Sequence, residues 1–394
     1  MFYIVPNMSS DDKSREANIA ESFRNELISL NSSIIEQVTD IVSKNEPASD
    51  LWPQLRKVNF DYKAKRSKIL EPEKPKPEPV SPQAMAKPSQ QDDFKHRILE
   101  EDVSIVWPLS PQLQSSLQIP ATAEKVTIQG EPASTLRLAL EDLLTQGNVL
   151  YQYFQRAVVR ISPDTVVKIN KSQDTTEVHI LDHIRKHTQE LPVPTPLGMI
   201  RIGKWAYTFT SFIPGISLDS VWSNLSLDKK CHVREQLNHH FAELRRLPIP
   251  SEEGYLGGGL PLICKGGHRF RKESSTPIAN NAQFNDFLLD DSCMEQARLD
   301  YVRGCMPSDH RIVMTHGDLC PLNILVESED VLTITGIVDW ETGGAYPEYW
   351  EYVNAFRSSF IDRSDWCLYL PEFGIGKFFD EYARDHVIER FATS

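Results

Sequence analysis

Three oxygen-bearing side chains in this sequence have the types and spacing of a phosphoryl-transfer site. Asp318 follows the apolar residues 312–314, Asn323 comes five positions later, and Asp339 ends a second apolar stretch at 334–338. Moving a terminal phosphoryl group requires a base for the attacking hydroxyl and metal ions on the phosphates. Mg²⁺ prefers hard oxygen ligands and takes the rest of its shell from water and phosphate. Asp318 therefore fits the base, and Asn323 and Asp339 fit the magnesium ligands.

The flanking residues predict how these groups come together. Residues 311–314 lead into the motif as a strand, residues 324–326 lead out of it, and residues 332–338 return after a polar turn at 327–330. Such a hairpin brings Asn323 and Asp339 to one end. Taken singly, each of these side chains is more often a turn or surface residue, and only their combination indicates a site.

A second group of candidates lies upstream, where residues 164–169 predict a strand after a Ser-Pro-Asp turn. Period-two alternation places Val166 and Lys168 on one face, which is suited to adenine and phosphates. Glu177 then opens a helix, with Thr175 and Thr176 as its expected caps. The apolar positions of this helix are Ile180, Leu181 and Ile184. Glu177 is the natural ion-pair partner of Lys168, although two solvated surface charges would give the same sequence.

The motifs resemble those of the aminoglycoside phosphotransferase and choline kinase group, most closely its fungal phosphotransferase-family members. The resemblance rests on Thr315–Leu319, Pro321–Leu325, Gly336–Glu341 and Tyr346–Tyr352. It covers most of residues 147–394. It implies the protein-kinase-like fold: an α+β protein with a small antiparallel-sheet lobe and a mainly helical lobe.

The resemblance also implies roles and cofactors. Asp318 corresponds to the catalytic base, Asn323 and Asp339 to the magnesium ligands, and Lys168 to the lysine that contacts the nucleotide phosphates. His316 corresponds to a residue that braces the catalytic loop. The implied cofactors are ATP, or another nucleoside triphosphate, and Mg²⁺.

The resemblance further places a hinge at Ser211, Phe212 and Ile213, whose backbone groups would hydrogen-bond the adenine edge. Two departures from the family pattern stand out. The turn at 154–156 contains no glycine, although glycine lets backbone approach phosphates most easily. Ala345 replaces a large aromatic residue, which either enlarges the acceptor pocket or leaves space for a neighbouring side chain.

Composition excludes several function classes. The net charge of −13, from 42 basic and 55 acidic residues, opposes polyanions and disfavours nucleic-acid binding. A neutral or cationic small-molecule acceptor suits it better. No apolar run is long enough to cross a bilayer, and residues 1–6 lack the basic start of a secretory signal. Six scattered cysteines, Cys320 among them, predict packed, reduced thiols, and we expect a cytoplasmic protein.

We expect three segments along the chain. Residues 1–70 form a helical extension, with amphipathic helices between 12 and 45 that pack within the chain, self-associate or bind a protein partner. Residues 71–92 form a charged, proline-rich linker. The phosphotransferase-like domain spans 131–394, with lobes at about 147–213 and 214–394, and its first helix begins at Ser134.

The predicted function is ATP- and Mg²⁺-dependent phosphorylation of a hydroxyl on a small molecule. A nucleotide-binding regulator without efficient catalysis, a pseudokinase, is the alternative from another class; the glycine-free turn and the long N-terminal region favour it. A protein kinase is disfavoured, because His316-Gly317-Asp318 replaces the His-Arg-Asp sequence of those enzymes. The acceptor would be selected by residues 254–275 and the segment after Phe356. The composition of these segments does not identify the acceptor.

Overall fold

The computed structural model describes residues 28–44, 58, 65, 102–119, 127–171, 174–266, 273–290, 294–357 and 364–392. The chain divides into two compact units, Met1–Ser89 and Gln90–Ser394. The predicted proline-rich linker at 71–92 lies outside the described residues, as does the N-terminal part of the predicted amphipathic region.

One helix of the first unit is described, α1 (28–44), within the predicted region. Leu30 is buried, whereas Ile34, Val38 and Ile41 are half-buried at helix spacing. Val42, next to Ile41 in the sequence, is exposed. The helix is therefore amphipathic with a narrow apolar stripe, and its partner stays a prediction.

The small lobe is built on one antiparallel sheet. Its strands are β1 (Val103–Trp107), β2 (Thr127–Ile128), β3 (Asn148–Tyr153), β4 (Arg156–Ser162), β5 (Thr165–Asn170), β6 (Pro196–Ile202) and β7 (Trp205–Ser211). They follow the order β2-β1-β6-β7-β5-β4-β3 across the sheet. The strand predicted at 164–169 is confirmed as β5, which lies between β4 and β7.

Two helices, α2 (Pro111–Ser116) and α3 (Gly130–Gln146), contribute to the core of this lobe. The α3 leucines Leu136, Leu140 and Leu144 are fully buried in one cluster with Val159, Val167, Ile200 and Phe209 of the sheet. The predicted start of this helix at Ser134 is wrong, since α3 begins four residues earlier at Gly130. A proline in the first turn does not prevent this, because N–H groups there have no partner within the helix.

The sheet starts upstream of residue 131, where we expected the domain to begin. β1 pairs antiparallel with β6, with Ile105 opposite Ile200. Val103 and Leu117 are fully buried in the core of the small lobe. Residues 103–119 are therefore an integral part of this lobe.

The helix predicted to carry Glu177 is confirmed as α4 (Thr176–His187), with Ile180, Leu181 and Ile184 fully buried. Its predicted capping chemistry is wrong. Asp174 Oδ1 accepts the Thr176 N–H at 2.8 Å. The Thr175 hydroxyl instead accepts the Leu260 N–H at 2.7 Å. A threonine at the cap position thus bonds the large lobe, and an aspartate performs the capping.

The large lobe is mainly helical. Its elements are β8 (Ile216–Ser217), α5 (Asp219–Trp222), α6 (Leu227–Leu244), α7 (Asn281–Leu289), α8 (Gln296–Gly304), β9 (Ile312–Thr315), β10 (Ile324–Val326), β11 (Ile334–Ile337), β12 (Gly344–Pro347), α9 (Trp350–Arg357), α10 (Glu372–Ile375) and α11 (Phe379–Ala392), with 3-10 turns at Pro321–Asn323 and Trp366–Tyr369. The α6 face of Val233, Leu237, Phe241 and Leu244 is buried in the main core. The predicted two-lobed α+β architecture is confirmed.

Ala345 lies in β12, which pairs with β9. Its backbone also exchanges two hydrogen bonds with Gly257, at 2.8 and 3.0 Å, and the residue is fully buried. The main chain around Gly257 approaches closely, since a Cβ on Gly344 would lie 2.5 Å from the Gly257 carbonyl oxygen. The backbone at Gly257 therefore occupies space beside Ala345.

Among the helices of the described residues, none combines the length and the apolar character needed to span a bilayer.

Candidate active site

Asp318 and Asn323 lie on the loop between β9 and β10, and their side chains are in direct contact. The Asn323 Nδ2 group donates to Asp318 Oδ2 at 3.0 Å and to the Asp318 backbone oxygen at 2.9 Å. Asn323 ends the 3-10 turn that begins at Pro321 and is buried. Because the amide nitrogen is committed to Asp318, the amide oxygen is the atom that can bind a cation.

His316 supports this loop from within. Its Nδ1 accepts the Asp318 N–H at 3.2 Å, and its Nε2 is 2.9 Å from the Val338 carbonyl, to which it donates. The ring also packs edge-on against Trp340, with centroids 4.6 Å apart. Both ring nitrogens are engaged with backbone and the side chain is fully buried. The contacts are those of the predicted bracing role.

Glu351, on α9, holds the same loop and was missed as a site residue in the sequence. Its carboxylate accepts the His316 N–H at 2.6 Å and the Gly317 N–H at 3.2 Å. Burial raises the pKa of Glu351, although His316 and the two N–H groups oppose that effect. Its position in the motif Tyr346–Tyr352 was the only signal, and that motif does not reveal its contact.

Gly317, between His316 and Asp318, has a left-handed backbone with φ +81°. A Cβ there would lie 2.6 Å from the Thr342 carbonyl oxygen. The Thr342 hydroxyl in turn donates to the His316 carbonyl at 3.2 Å. Glycine is therefore required for the loop to pack this closely against the segment after Asp339.

Asp339 reaches the site through the predicted hairpin, which is confirmed. β10 and β11 pair antiparallel with Ile324 opposite Ile337, and the Val338 N–H donates to the Asn323 carbonyl at 2.9 Å. Asp339 itself has φ +66°, an uncommon backbone conformation that aspartate tolerates better than most residues. The hairpin thus places the two predicted metal ligands at neighbouring backbone positions.

Lys168, on β5, joins the two lobes. Its ammonium group contacts Glu177 at 3.1 Å, Glu341 at 3.0 Å and the Asp339 carboxylate. Burial alone would lower the pKa of Lys168, but the carboxylates of Asp339, Glu177 and Glu341 outweigh it and raise that pKa well above its ordinary value. Lys168 is therefore cationic at neutral pH, and the predicted Lys168–Glu177 pair is present.

Glu177 and Asp339 both contact the Lys168 ammonium, but their pKa values shift in opposite directions. Burial raises the pKa of Glu177, and the Lys168 charge only partly offsets it, so that the pKa stays above its usual value. Burial would also raise the pKa of Asp339, but Lys168 lowers it below its usual value. Asp339 is thus ionised at neutral pH, as a magnesium ligand must be.

Two further charged residues belong to this cluster, and the sequence interpretation assigned neither to the site. Glu341 Oε2 contacts Lys168 at 3.0 Å, while its Oε1 accepts from Arg156 Nη1 at 2.9 Å. Arg156 is the first residue of β4, and 185 positions separate it from Glu341. No local spacing in the sequence connects the two residues.

The sheet register defines which side chains share the face of Lys168. Val158 of β4 and Thr208 of β7 lie directly opposite Lys168 on the neighbouring strands. Two residues along β5, Val166 lies opposite Arg160 and Thr210. The predicted common face of Val166 and Lys168 thus extends over three strands.

The predicted hinge offers fewer backbone donors than expected. The Ser211 N–H donates to Thr195 and the Phe212 N–H donates to Asp164, both at 2.8 Å. These two donors are therefore unavailable to adenine, which corrects the expectation for them. Within the described part of the chain the Ile213 N–H makes no hydrogen bond. Arg160 lies 3.8 Å above the Phe212 ring and closes this end of the β5 face.

Cys320, beside the catalytic candidates, is buried, as expected for a packed thiol. Burial raises the pKa of its thiol to about 12, and Asp318 adds to that effect.

In the described ranges, no three His, Cys, Asp or Glu side chains converge as metal ligands. The donor set of one amide oxygen and one carboxylate fits Mg²⁺ that completes its shell with phosphate and water.

The sequence profile of the phosphotransferase enzyme family matches residues 149–386. Among proteins of curated function, none matches the chain.

Similar solved structures include two aminoglycoside phosphotransferases. APH(3'')-Id from Streptomyces rimosus is 19% identical, covers 65% of this chain and 96% of its own, and has a TM-score of 0.42. A thermostable mutant of APH(4)-Ia, in a ternary complex with ADP and hygromycin B, is 14% identical, covers 66% of this chain and 98% of its own, and also has a TM-score of 0.42.

Proposed function

Since this chain belongs to the phosphotransferase enzyme family, we propose that it transfers the terminal phosphoryl group of ATP, or of another nucleoside triphosphate, to a hydroxyl group of a small molecule. The acceptor oxygen forms a bond to the γ-phosphorus as the bond to the β-phosphate oxygen breaks. The acceptor proton passes to Asp318, and ADP leaves. The products are a phosphate monoester and ADP.

The contacts of Lys168 carry this proposal. One ammonium group touches Glu177 from the small lobe and Asp339 from the large lobe. This arrangement brings the proposed phosphate-binding residue next to a proposed metal ligand. A pair of unrelated surface charges would not explain why the lysine is only 14% exposed and still cationic.

The large lobe supplies the proposed chemistry at the acceptor hydroxyl. Asp318 accepts the proton while the Asn323 amide fixes its carboxylate at 3.0 Å. The Asn323 amide oxygen and the Asp339 carboxylate would hold Mg²⁺, which neutralises charge on the phosphates when it is bound. The Ile213 N–H is the proposed hinge donor to the adenine edge.

A nucleotide-binding regulator is the second candidate, because the turn between β3 and β4 has no glycine to bring backbone close to phosphates. The two candidates differ in one measurable property. A regulator binds nucleotide and transfers nothing, whereas an enzyme produces a phosphorylated acceptor.

The test is a transfer assay with the purified full-length chain, Mg²⁺, γ-labelled ATP and fractionated small-molecule extracts. The Asp318→Asn protein is the matched blank, because its loop keeps every backbone contact of His316 and Gly317. We expect label in one or more small-molecule fractions with the native chain alone. Label in polypeptides only would favour a protein kinase, and nucleotide binding with no labelled product in any fraction would favour the regulator.

A further inference from the structure

The turn that faces the proposed phosphate site is unusual in composition and conformation. Phe154 and Gln155 join β3 to β4, and Phe154 adopts φ +46° although it is not glycine. Phe154 is 73% exposed and packs edge-on against Tyr153. A turn of this kind presents bulky side chains where kinase-like proteins use glycine to let backbone N–H groups reach phosphate. A side chain is therefore a better candidate than backbone for binding phosphate there.

Arg156 follows this turn as the first residue of β4. Its partner across the hairpin is Tyr153, and its guanidinium contacts Glu341 at 2.9 Å. The other oxygen of Glu341 contacts Lys168 at 3.0 Å. A single carboxylate therefore bridges two cations, one on β4 and one on β5. Glu341 thus lies between two positive charges.

That position suits phosphate oxygens. A diphosphate or triphosphate carries several anionic oxygens, and a guanidinium can bind two of them through parallel N–H groups. The Arg156 side chain is 50% exposed, so that a ligand can reach its guanidinium. A ligand with more negative charge than one carboxylate would replace Glu341 at the guanidinium.

We propose that Arg156 binds the nucleotide phosphates in place of a glycine-rich loop, and that Glu341 holds Arg156 until the nucleotide replaces it. This inference rests on the proposed function, because it requires a nucleotide on the face of Lys168. Arg156 would contact phosphate directly, whereas Glu341 is a positioning residue.

The first test measures equilibrium binding by calorimetry without acceptor. We compare ADP and adenosine as ligands of the native chain, Arg156→Met and the control Arg246→Met, whose arginine is exposed at the end of α6 and pairs with Glu243. We expect Arg156→Met to weaken ADP binding about tenfold or more, as the loss of a charge-assisted contact does, and to leave adenosine binding unchanged. The control should match the native chain with both ligands.

The second test asks whether nucleotide phosphates replace Glu341 at Arg156. In the presence of EDTA, Glu341→Gln should bind ADP more tightly than the native chain, since the amide competes less for Arg156 and Lys168. The gain should be smaller in the Arg156→Met background, because one of the two cations is then already missing. An equal gain in both backgrounds would show that Arg156 does not exchange partners, and would overturn that half of the proposal.

The outcomes separate this inference from the proposed function. If Arg156→Met binds ADP as tightly as the native chain does, Arg156 is not a phosphate ligand and the inference fails while the proposed function stands. An equal loss for ADP and adenosine would likewise overturn it, since the residue would then act on the fold of the turn. If the native chain binds neither ligand, the proposed function fails as well.

Discussion

Asn323 donates its side-chain amide to the carboxylate of Asp318 at 3.0 Å. The same nitrogen bonds the Asp318 backbone oxygen at 2.9 Å, so that the two residues form one unit on the loop. The amide oxygen is thereby directed away from Asp318 and is left for a cation. One side chain thus orients the proposed base and offers a ligand to the proposed metal.

Replacing Asn323 with aspartate should separate these two tasks. The new carboxylate keeps an oxygen for Mg²⁺ but loses both N–H groups and repels Asp318. We expect kcat for phosphoryl transfer to fall by about 100-fold, the scale of a disturbed general base, while Mg²⁺ is still bound. Steady-state kinetics over a range of Mg²⁺ concentrations measures both quantities.

Asn323→Ala is the comparison for that variant, because it removes the ligand together with the donor. It should lower kcat and also raise the Mg²⁺ concentration needed for half-maximal rate. If Asn323→Asp raised the Mg²⁺ concentration needed for half-maximal rate more than Asn323→Ala did, the amide oxygen would not be a ligand.

Asp318→Asn should remove phosphoryl transfer and keep nucleotide binding. The amide has nearly the same shape but does not accept the acceptor proton, so the rate should fall by about 100-fold to 10,000-fold. The Asp318 carboxylate is held by Asn323 on the large-lobe loop, whereas the proposed phosphate contact is Lys168, which pairs with Glu177; affinity for ADP should therefore change little. Single-turnover transfer and calorimetry with ADP are the measurements. Transfer at the native rate would exclude Asp318 as the base.

Glu351→Gln should weaken the fold in a pH-dependent way. The amide accepts fewer of the His316 and Gly317 N–H groups, which costs about 1–3 kcal/mol. Burial holds the pKa of Glu351 above its ordinary 4.5, so the folded chain keeps that proton longer than the unfolded chain. The titration of Glu351 therefore makes the native chain less stable as pH rises above about 4.5. The difference in unfolding free energy between the native chain and the variant, measured by urea unfolding, should therefore become smaller from pH 5 to pH 7.

Glu348→Gln is the matched control with the opposite sign. Burial would raise the pKa of Glu348, but the Arg311 hydrogen bonds and charge lower it below its ordinary 4.5. Its stabilisation is present above pH 4.5 and is lost as pH falls through the lowered value. The deficit of this variant should stay constant from pH 5 to pH 7. A widening deficit for Glu351→Gln over that range would mean that the loop prefers the ionised carboxylate.

Lys168→Met should make the fold depend on divalent cations. The substitution leaves Glu177, Asp339 and Glu341 without their shared cation and should cost about 3 kcal/mol, the scale for breaking a buried pair. Mg²⁺ would partly replace the missing charge. Thermal unfolding without nucleotide should therefore show a larger rise in Tm with MgCl₂ for the variant than for the native chain.

Lys186→Met provides the control, because Lys186 pairs with Asp182 on the exposed face of α4. It should have almost no effect on Tm with or without MgCl₂. KCl at equal ionic strength separates specific binding from screening. An equal MgCl₂ response in Lys168→Met and the native chain would contradict the proposed cation site.

The parts of the site that lie close in sequence were predictable. The hairpin that positions Asn323 and Asp339 followed from alternating apolar residues and a polar turn, and the buried face of α4 followed from helical spacing. The predicted start of α3 was wrong because Gly130 and Pro132 look like helix breakers locally, yet both are accepted at a helix start.

Contacts between distant segments could not be predicted in the same way. Arg156 meets Glu341 only after two lobes have folded, and Glu351 reaches the Gly317 N–H of the catalytic loop from helix α9. The hydrogen bonds that engage the Ser211 and Phe212 N–H groups at the hinge were not predicted, for a related reason. The Ser211 N–H binds the carbonyl of Thr195, just before β6, and the Phe212 N–H binds the carbonyl of Asp164, in the turn between β4 and β5.

The pairing of β1 with β6 has a practical consequence for anyone who expresses part of this chain. A protein cut at residue 131 would leave one side of β6 without its neighbour and would remove Leu113 and Leu117 from the core cluster that they share with the α3 leucines. Unpaired strand edges beside apolar surface promote aggregation. Failure of such a shortened protein to phosphorylate anything would reflect insolubility, and fragments intended for assay should begin before residue 102.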